Sequence, residues 1–112
     1  MKLIRIVAIL VGLGTVAWQG LQWSQGNAQN MFFIPDIIVG LYLGAAGMLP
    51  KVRAALIHMF AGFGLMSGIY LVATLGTWTV TGGLDAGAIS TLVGLVFTLP
   101  AMIWIARRLT AV

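Results

Sequence analysis

Four apolar runs of about twenty residues alternate with short polar breaks along this chain. They cover residues 3–23, 32–49, 53–76 and 86–106. At about 1.5 Å rise per residue, a helix of about twenty residues crosses a hydrocarbon layer of about 30 Å. The pattern therefore predicts four transmembrane helices. The third run, RAALIHMFAGFGLMSGIYLVATLG, is the most uniformly apolar. The breaks are short enough to make neighbouring helices antiparallel. The first, SQGNAQNM, is polar, uncharged and rich in Gly and Asn. The second is the basic turn Pro50-Lys51-Val52-Arg53, and the third is GTWTVTGGLDA, with Gly82-Gly83 as its turn.

Several residues mark the ends of these helices. Pro35 suits a first turn, where its missing N–H is not needed. Asp36 beside it, and Asp85 before the fourth run, are acids at helix starts, favoured by the macrodipole and by capping. Pro50 stops the second helix, and Pro100 is expected to kink the fourth. The start of the chain, with Lys2, Arg5 and an apolar stretch, resembles a secretory signal peptide, with a small-x-small site at Gly26-Asn27-Ala28. Cleavage there would leave three spans, so the run is read as a retained first helix.

Composition supports this reading. Of 112 residues, 61% are hydrophobic and 7% charged. A soluble domain carries about a quarter charged residues. Residues 1–112 form one four-span membrane domain with little chain to spare. The formal net charge of +4 does not point to nucleic acid. The basic residues sit in three clusters at the ends of apolar runs, which is the pattern of topology signals. Lys2, Arg5, Lys51, Arg53, Arg107 and Arg108 lie at the first end, the second break and the last end, while the first and third breaks carry none. In four spans those three places share one side. The positive-inside rule puts both termini in the cytoplasm of a bacterial inner membrane, with Trp18, Trp23 and Trp78 at the opposite interface.

Enzyme chemistry has little material here. The chain has one His, no Cys, no Glu and two Asp at helix ends, so no nucleophile–base pair or metal cluster can be assembled. The chain is read as a non-enzyme. Three features remain. Small residues recur at i, i+4 spacing in Gly40 and Gly44, Gly64 and Gly68, and Ser90 and Gly94. In lipid such stripes let helices approach closely, within the bundle or against another subunit. Asp36 is a candidate proton or cation site. His58 has only small residues at i±3 and i±4, namely Ala54, Ala55, Ala61 and Gly62, which leaves a shelf beside its ring.

The Ala54-x-x-x-His58 spacing resembles the pigment-binding helices of bacterial light-harvesting polypeptides over one helical turn. That resemblance implies a tetrapyrrole with His58 as axial ligand. The four-span layout departs from those single-span proteins, and a neutral histidine hydrogen-bonded to a neighbouring helix is the favoured reading. In length and span number the chain is similar to the small multidrug-resistance transporters. The first-helix glutamate on which they rely is missing, and the chain is not placed among them.

The sequence thus predicts an all-α integral membrane protein, a small antiparallel bundle of four transmembrane helices. Its expected role is that of an accessory subunit packed against other transmembrane subunits, as in a photosynthetic or respiratory complex, or against itself. The alternative is a small transporter or channel whose path is lined by Tyr42, Ser67, Tyr70 and Ser90.

Overall fold

The computed structural model describes the backbone of residues 1–26, 33–81 and 86–110, and the side chains there except those of 77–81 and 86–88. It is all-helical: α1 (Lys2–Ser24), α2 (Phe33–Gly47), α3 (Val52–Thr81) and α4 (Ala86–Thr110). Asp85, the Gly82-Gly83 turn and the side chain of Trp78 lie outside the described residues. Three stretches are long and apolar enough to cross a membrane, Lys2–Ser24, Val52–Gly76 and Ile89–Thr110. The fourth helix, α2, has 15 residues, or about 22 Å of rise.

Three boundaries differ from expectation by two or more residues, one of them the end of the fourth helix, which runs to Thr110 rather than to 106. The third helix continues five residues past Gly76, to Thr81. A single helical Gly costs only about 1 kcal/mol, and the residues after it carry no Pro. The second helix ends at Gly47 rather than Leu49. Its last turn tightens into i→i−3 bonds, Met48 N to Ala45 O at 3.0 Å and Leu49 N to Ala46 O at 3.3 Å. Pro50 enforces this, since the residue before a proline avoids helical backbone. The first helix closes on Gly26, whose φ of +80° suits a residue without a Cβ. The fourth is continuous through Pro100.

The helices pack in chain order, α1 on α2, α2 on α3 and α3 on α4, while α1 and α4 scarcely meet. The contact of α1 with α2 is made by small residues. The buried positions of α1 are Ile4, Ala8, Gly12, Thr15 and Gln19, one face at i+3 and i+4 spacing. A Cβ on Gly12 would lie 2.7 Å from Gly44 N and closer still to Gly40 O, and one on Gly40 would lie 2.7 Å from Gly12 O. Gly47 is also close-packed, though less so, its imagined Cβ 3.0 Å from Arg5 O. On the other side of α2, fully buried Leu43 occupies the space left by Gly62 of α3.

The apolar core gathers at the end of the bundle that holds the termini and the α2–α3 turn. Ile4, Ala8, Leu43, Ala46, Ala55, Leu56, Met59, Phe63, Ala101 and Ile105 form it. All four helices contribute, so this end is closed. Toward the other end, side chains from α1 and α4 stand apart.

Candidate functional site

The separation of α1 from α4 leaves a cavity of about 570 Å³. Its walls come from all four helices: Leu10 to Gln22 on α1, Asp36 on α2, Ile69, Tyr70 and Ala73 on α3, and Ser90, Thr91, Val93 and Gly94 on α4. A smaller apolar crevice between Val7, Leu10, Val11 and Phe97 continues along the α1–α4 seam toward the core.

Asp36 is the acid in this wall. The first turn of α2 places it against the buried face of α1, where Gln19 stands. Gln19 Nε2 donates to Asp36 Oδ2 at 2.5 Å. Asp36 is 7% exposed, and its Oδ1 is buried without a hydrogen-bond partner among the described residues. No Lys, Arg or His lines the cavity. A helix-start acid ordinarily faces solvent, where water satisfies both oxygens. Here Asp36 is turned onto α1, and Gln19 is its partner there. A buried polar oxygen left unmatched costs about 1–3 kcal/mol, and more if charged.

The opposite wall is built around Tyr70. Thr15 Oγ1 donates to Val11 O at 2.8 Å, which uses its single hydrogen. Tyr70 must then donate to Thr15 Oγ1, 2.9 Å away. The ring has room only because residue 94 is glycine: a Cβ there would fall 2.7 Å from Tyr70 Cδ2. Above it, the hydroxyls of Thr74 and Thr91 join α3 to α4 at 2.5 Å. Lower down, Ser67 donates to Thr98 Oγ1 at 2.8 Å.

The residues singled out in the sequence separate into distinct places. Tyr70 and Ser90 line the cavity with Asp36. Ser67 is buried in the α3–α4 seam. Tyr42 lies elsewhere, on the α2–α3 surface with His58. Its hydroxyl is 2.7 Å from His58 Nδ1, and the two rings meet edge to face with centroids 5.8 Å apart. The shelf beside His58 is partly covered by α2: Ala55 is fully buried, and Gly62 lies under Leu43. Only Ala54 and Ala61 remain on its open side. The Tyr42 contact engages Nδ1, and α2 covers half of the predicted shelf. Of the small residues, Gly40 and Gly44 face α1, a Cβ on Gly64 would stand 3.4 Å from Met102 Cε, and Gly94 receives Tyr70. Gly68 has nothing within 4 Å of where a Cβ would stand.

Two contacts had no signal in the sequence. Gln19 reads there as an ordinary residue near a helix end, and only the α1–α2 register brings it to Asp36. Arg5 reads as a topology charge, yet its Nη1 donates to Gly47 O at 3.0 Å and also to Leu49 O. It thereby satisfies carbonyls at the end of α2 and suits the negative end of its dipole. Arg108 stacks over Trp104 with 4.9 Å from Cζ to the ring centroid, a cation–π pair at the same end of the bundle.

Comparison of the chain with protein-family models, with curated proteins and with solved structures finds no match.

Proposed function

We propose that this protein is a small, non-enzymatic membrane transporter that carries a cationic solute or a proton by way of Asp36. The observation that carries this reading is the buried Asp36 carboxyl in the wall of a cavity, where among the described residues one of its oxygens has no partner and no basic side chain stands. An ionisable group held inside a membrane bundle is costly and commonly marks an ion or substrate path. Membrane residence is supported by the three long apolar stretches and by the outer surface, where Leu3, Ile38 and Val96 are 73%, 61% and 68% exposed. A water-facing surface would not carry so many large apolar side chains. With α2 as a short fourth span, the six basic residues fall on one side. Both termini are then cytoplasmic in a bacterial inner membrane.

The path in this reading differs from the one drawn from sequence. It runs between α1 and α4, lined by Thr15, Gln19, Tyr70, Ser90 and Thr91, and excludes Tyr42 and Ser67. The test is charge movement in reconstituted vesicles on a solid support after a pH step. Wild type gives a transient current, Asp36→Glu keeps it, and Asp36→Asn abolishes it. A current that survives in Asp36→Asn, or none in wild type, refutes the proposal.

One observation keeps a second role in view. The crevice lined by Val7, Leu10, Val11 and Phe97 is wholly apolar and lies on the unclosed seam. An apolar seam of this kind suits a helix of another subunit, or of a second copy. In the accessory role, the protein would co-purify stoichiometrically with a larger membrane partner in mild detergent.

A further inference from the structure

We infer that the outer face of α3 pairs with the same face of a second copy of this chain, and that His58 of each copy completes the hydrogen bonding of the other.

The observation that carries this is an imidazole on the outside of an apolar span. His58 lies about 9 Å along α3 from its start at Val52, within the stretch Val52–Gly76 that is apolar enough to cross a membrane. Its side chain is exposed on the surface of the bundle. Nδ1 is engaged by the Tyr42 hydroxyl at 2.7 Å, and nothing among the described residues bonds Nε2. Lipid chains supply neither donor nor acceptor, and ionisable side chains inside a span turn inward or find a polar partner. An Nε2 turned outward calls for such a partner on a neighbouring helix.

A second copy supplies it. The Tyr42 hydroxyl can donate to Nδ1, which leaves the ring hydrogen on Nε2, or accept from Nδ1–H, which leaves Nε2 bare. Two copies in opposite tautomers then share one Nε2–H···Nε2 bond, and each keeps its contact with Tyr42. A twofold interface places the same residue of both copies at the axis, so this chemistry is self-complementary, whereas an unrelated helix would have to carry a matching polar group at that depth.

The face beside His58 permits the approach. His58, Ala61, Leu65, Gly68 and Val72 fall within about 80° of helix arc, and all five are exposed. Gly12, Gly40, Gly62 and Gly94 each receive a neighbour inside the bundle, but Gly68 has nothing within 4 Å of where a Cβ would stand. In copies inserted the same way, an axis running beside α3 sets Gly68 against Gly68 where His58 meets His58, and small residues let the two backbones come close.

The chain has no Cys, so a single introduced cysteine reports on one position of the full chain. After mild oxidation in reconstituted vesicles, Leu65→Cys and Gly68→Cys should give disulfide-linked dimers. Val96→Cys on α4 and Leu21→Cys on α1, also exposed, should stay monomeric. Energy transfer between labelled copies, followed as lipid is added, then measures dimerisation. His58→Leu should weaken it about threefold or more, the factor that an interhelical polar pair of about 0.6 kcal/mol gives. His58→Gln, which keeps a donor and an acceptor, should retain it. Should His58→Leu fail to fold, the cysteine pattern still decides. Cross-linking alike at all four positions, or at neither α3 position, overturns the inference, and so does a dimer indifferent to His58→Leu.

Discussion

Gln19 of α1 donates to one oxygen of Asp36 at the start of α2 and leaves the other without a partner. Fourteen positions earlier on the same helix, Arg5 satisfies carbonyls at the end of α2. The first helix thus clamps both ends of a short second helix, with the glycine contact between them. Packing of α2 on α1 turns Asp36 inward and buries it, while Ile34 and Met48 near the two ends of α2 stay exposed. Replacing Gln19 by Leu removes the single donor. Loss of about 1–3 kcal/mol is expected, read as reduced unfolding stability in detergent. Replacing both, Gln19→Leu with Asp36→Leu, should recover part of that loss, because the carboxyl that lost its donor is then gone.

Arg5→Gln should cost about 1.5–3 kcal/mol through the loss of charged hydrogen bonds to Gly47 and Leu49 carbonyls. Lys2→Gln, on an exposed neighbouring side chain, should change stability by less than about 0.5 kcal/mol. Equal effects would mean that Arg5 acts only as a surface charge.

The glycines divide sharply. Gly12→Ala forces apart backbones that approach too closely for a Cβ, and should destabilise by about 1–3 kcal/mol as overpacking does. Gly68→Ala meets open space and should be neutral or stabilising by up to about 1 kcal/mol through helix propensity. Chemical denaturation of the two variants side by side checks the contrast.

Gly94→Ala should displace the Tyr70 ring and so break its hydrogen bond to Thr15. In Tyr70→Phe, the same Gly94→Ala change should cost no less, since the clash is with ring carbons rather than the hydroxyl. Tyr70→Leu should relieve it. Relief by Phe alone would show that the hydroxyl, not the ring, is what residue 94 accommodates.

His58→Ala and Tyr42→Phe each remove one half of a hydrogen bond on the outer surface of the bundle. Interhelical polar pairs in membrane bundles are worth about 0.6 kcal/mol on average. A double-mutant cycle should return a coupling of that size, and both variants should keep the Asp36-dependent current.

How much of this was legible in sequence follows from which forces act locally. Helix number and approximate ends were, because apolar runs and the Pro50 break act within a few residues. The overrun of α3 past Gly76 was not, because one glycine is a weak punctuation mark. Glycines at i, i+4 spacing stand out in sequence, but the difference between Gly40 and Gly68 does not. It depends on which face turns toward a neighbour, and helices apolar on every side give little periodicity to tell. Asp36 was visible as an acid at a helix start. Its burial was not, since that depends on how α2 packs on α1 and on Gln19, seventeen residues away across a loop.

The central claim is that Asp36 is a buried carboxyl in reach of the cavity's contents. The chain carries two Asp and no Glu, so in an Asp85→Asn background Asp36 is the sole side-chain carboxyl. Infrared difference spectra of reconstituted protein, recorded across a pH titration with the further Asp36→Asn variant subtracted, isolate that group. One carboxyl–carboxylate transition is expected, and the Asp36-dependent current should change over the same pH range. A side chain with no transition at any pH, or one whose titration leaves the current unchanged, rules out Asp36 as the carrier.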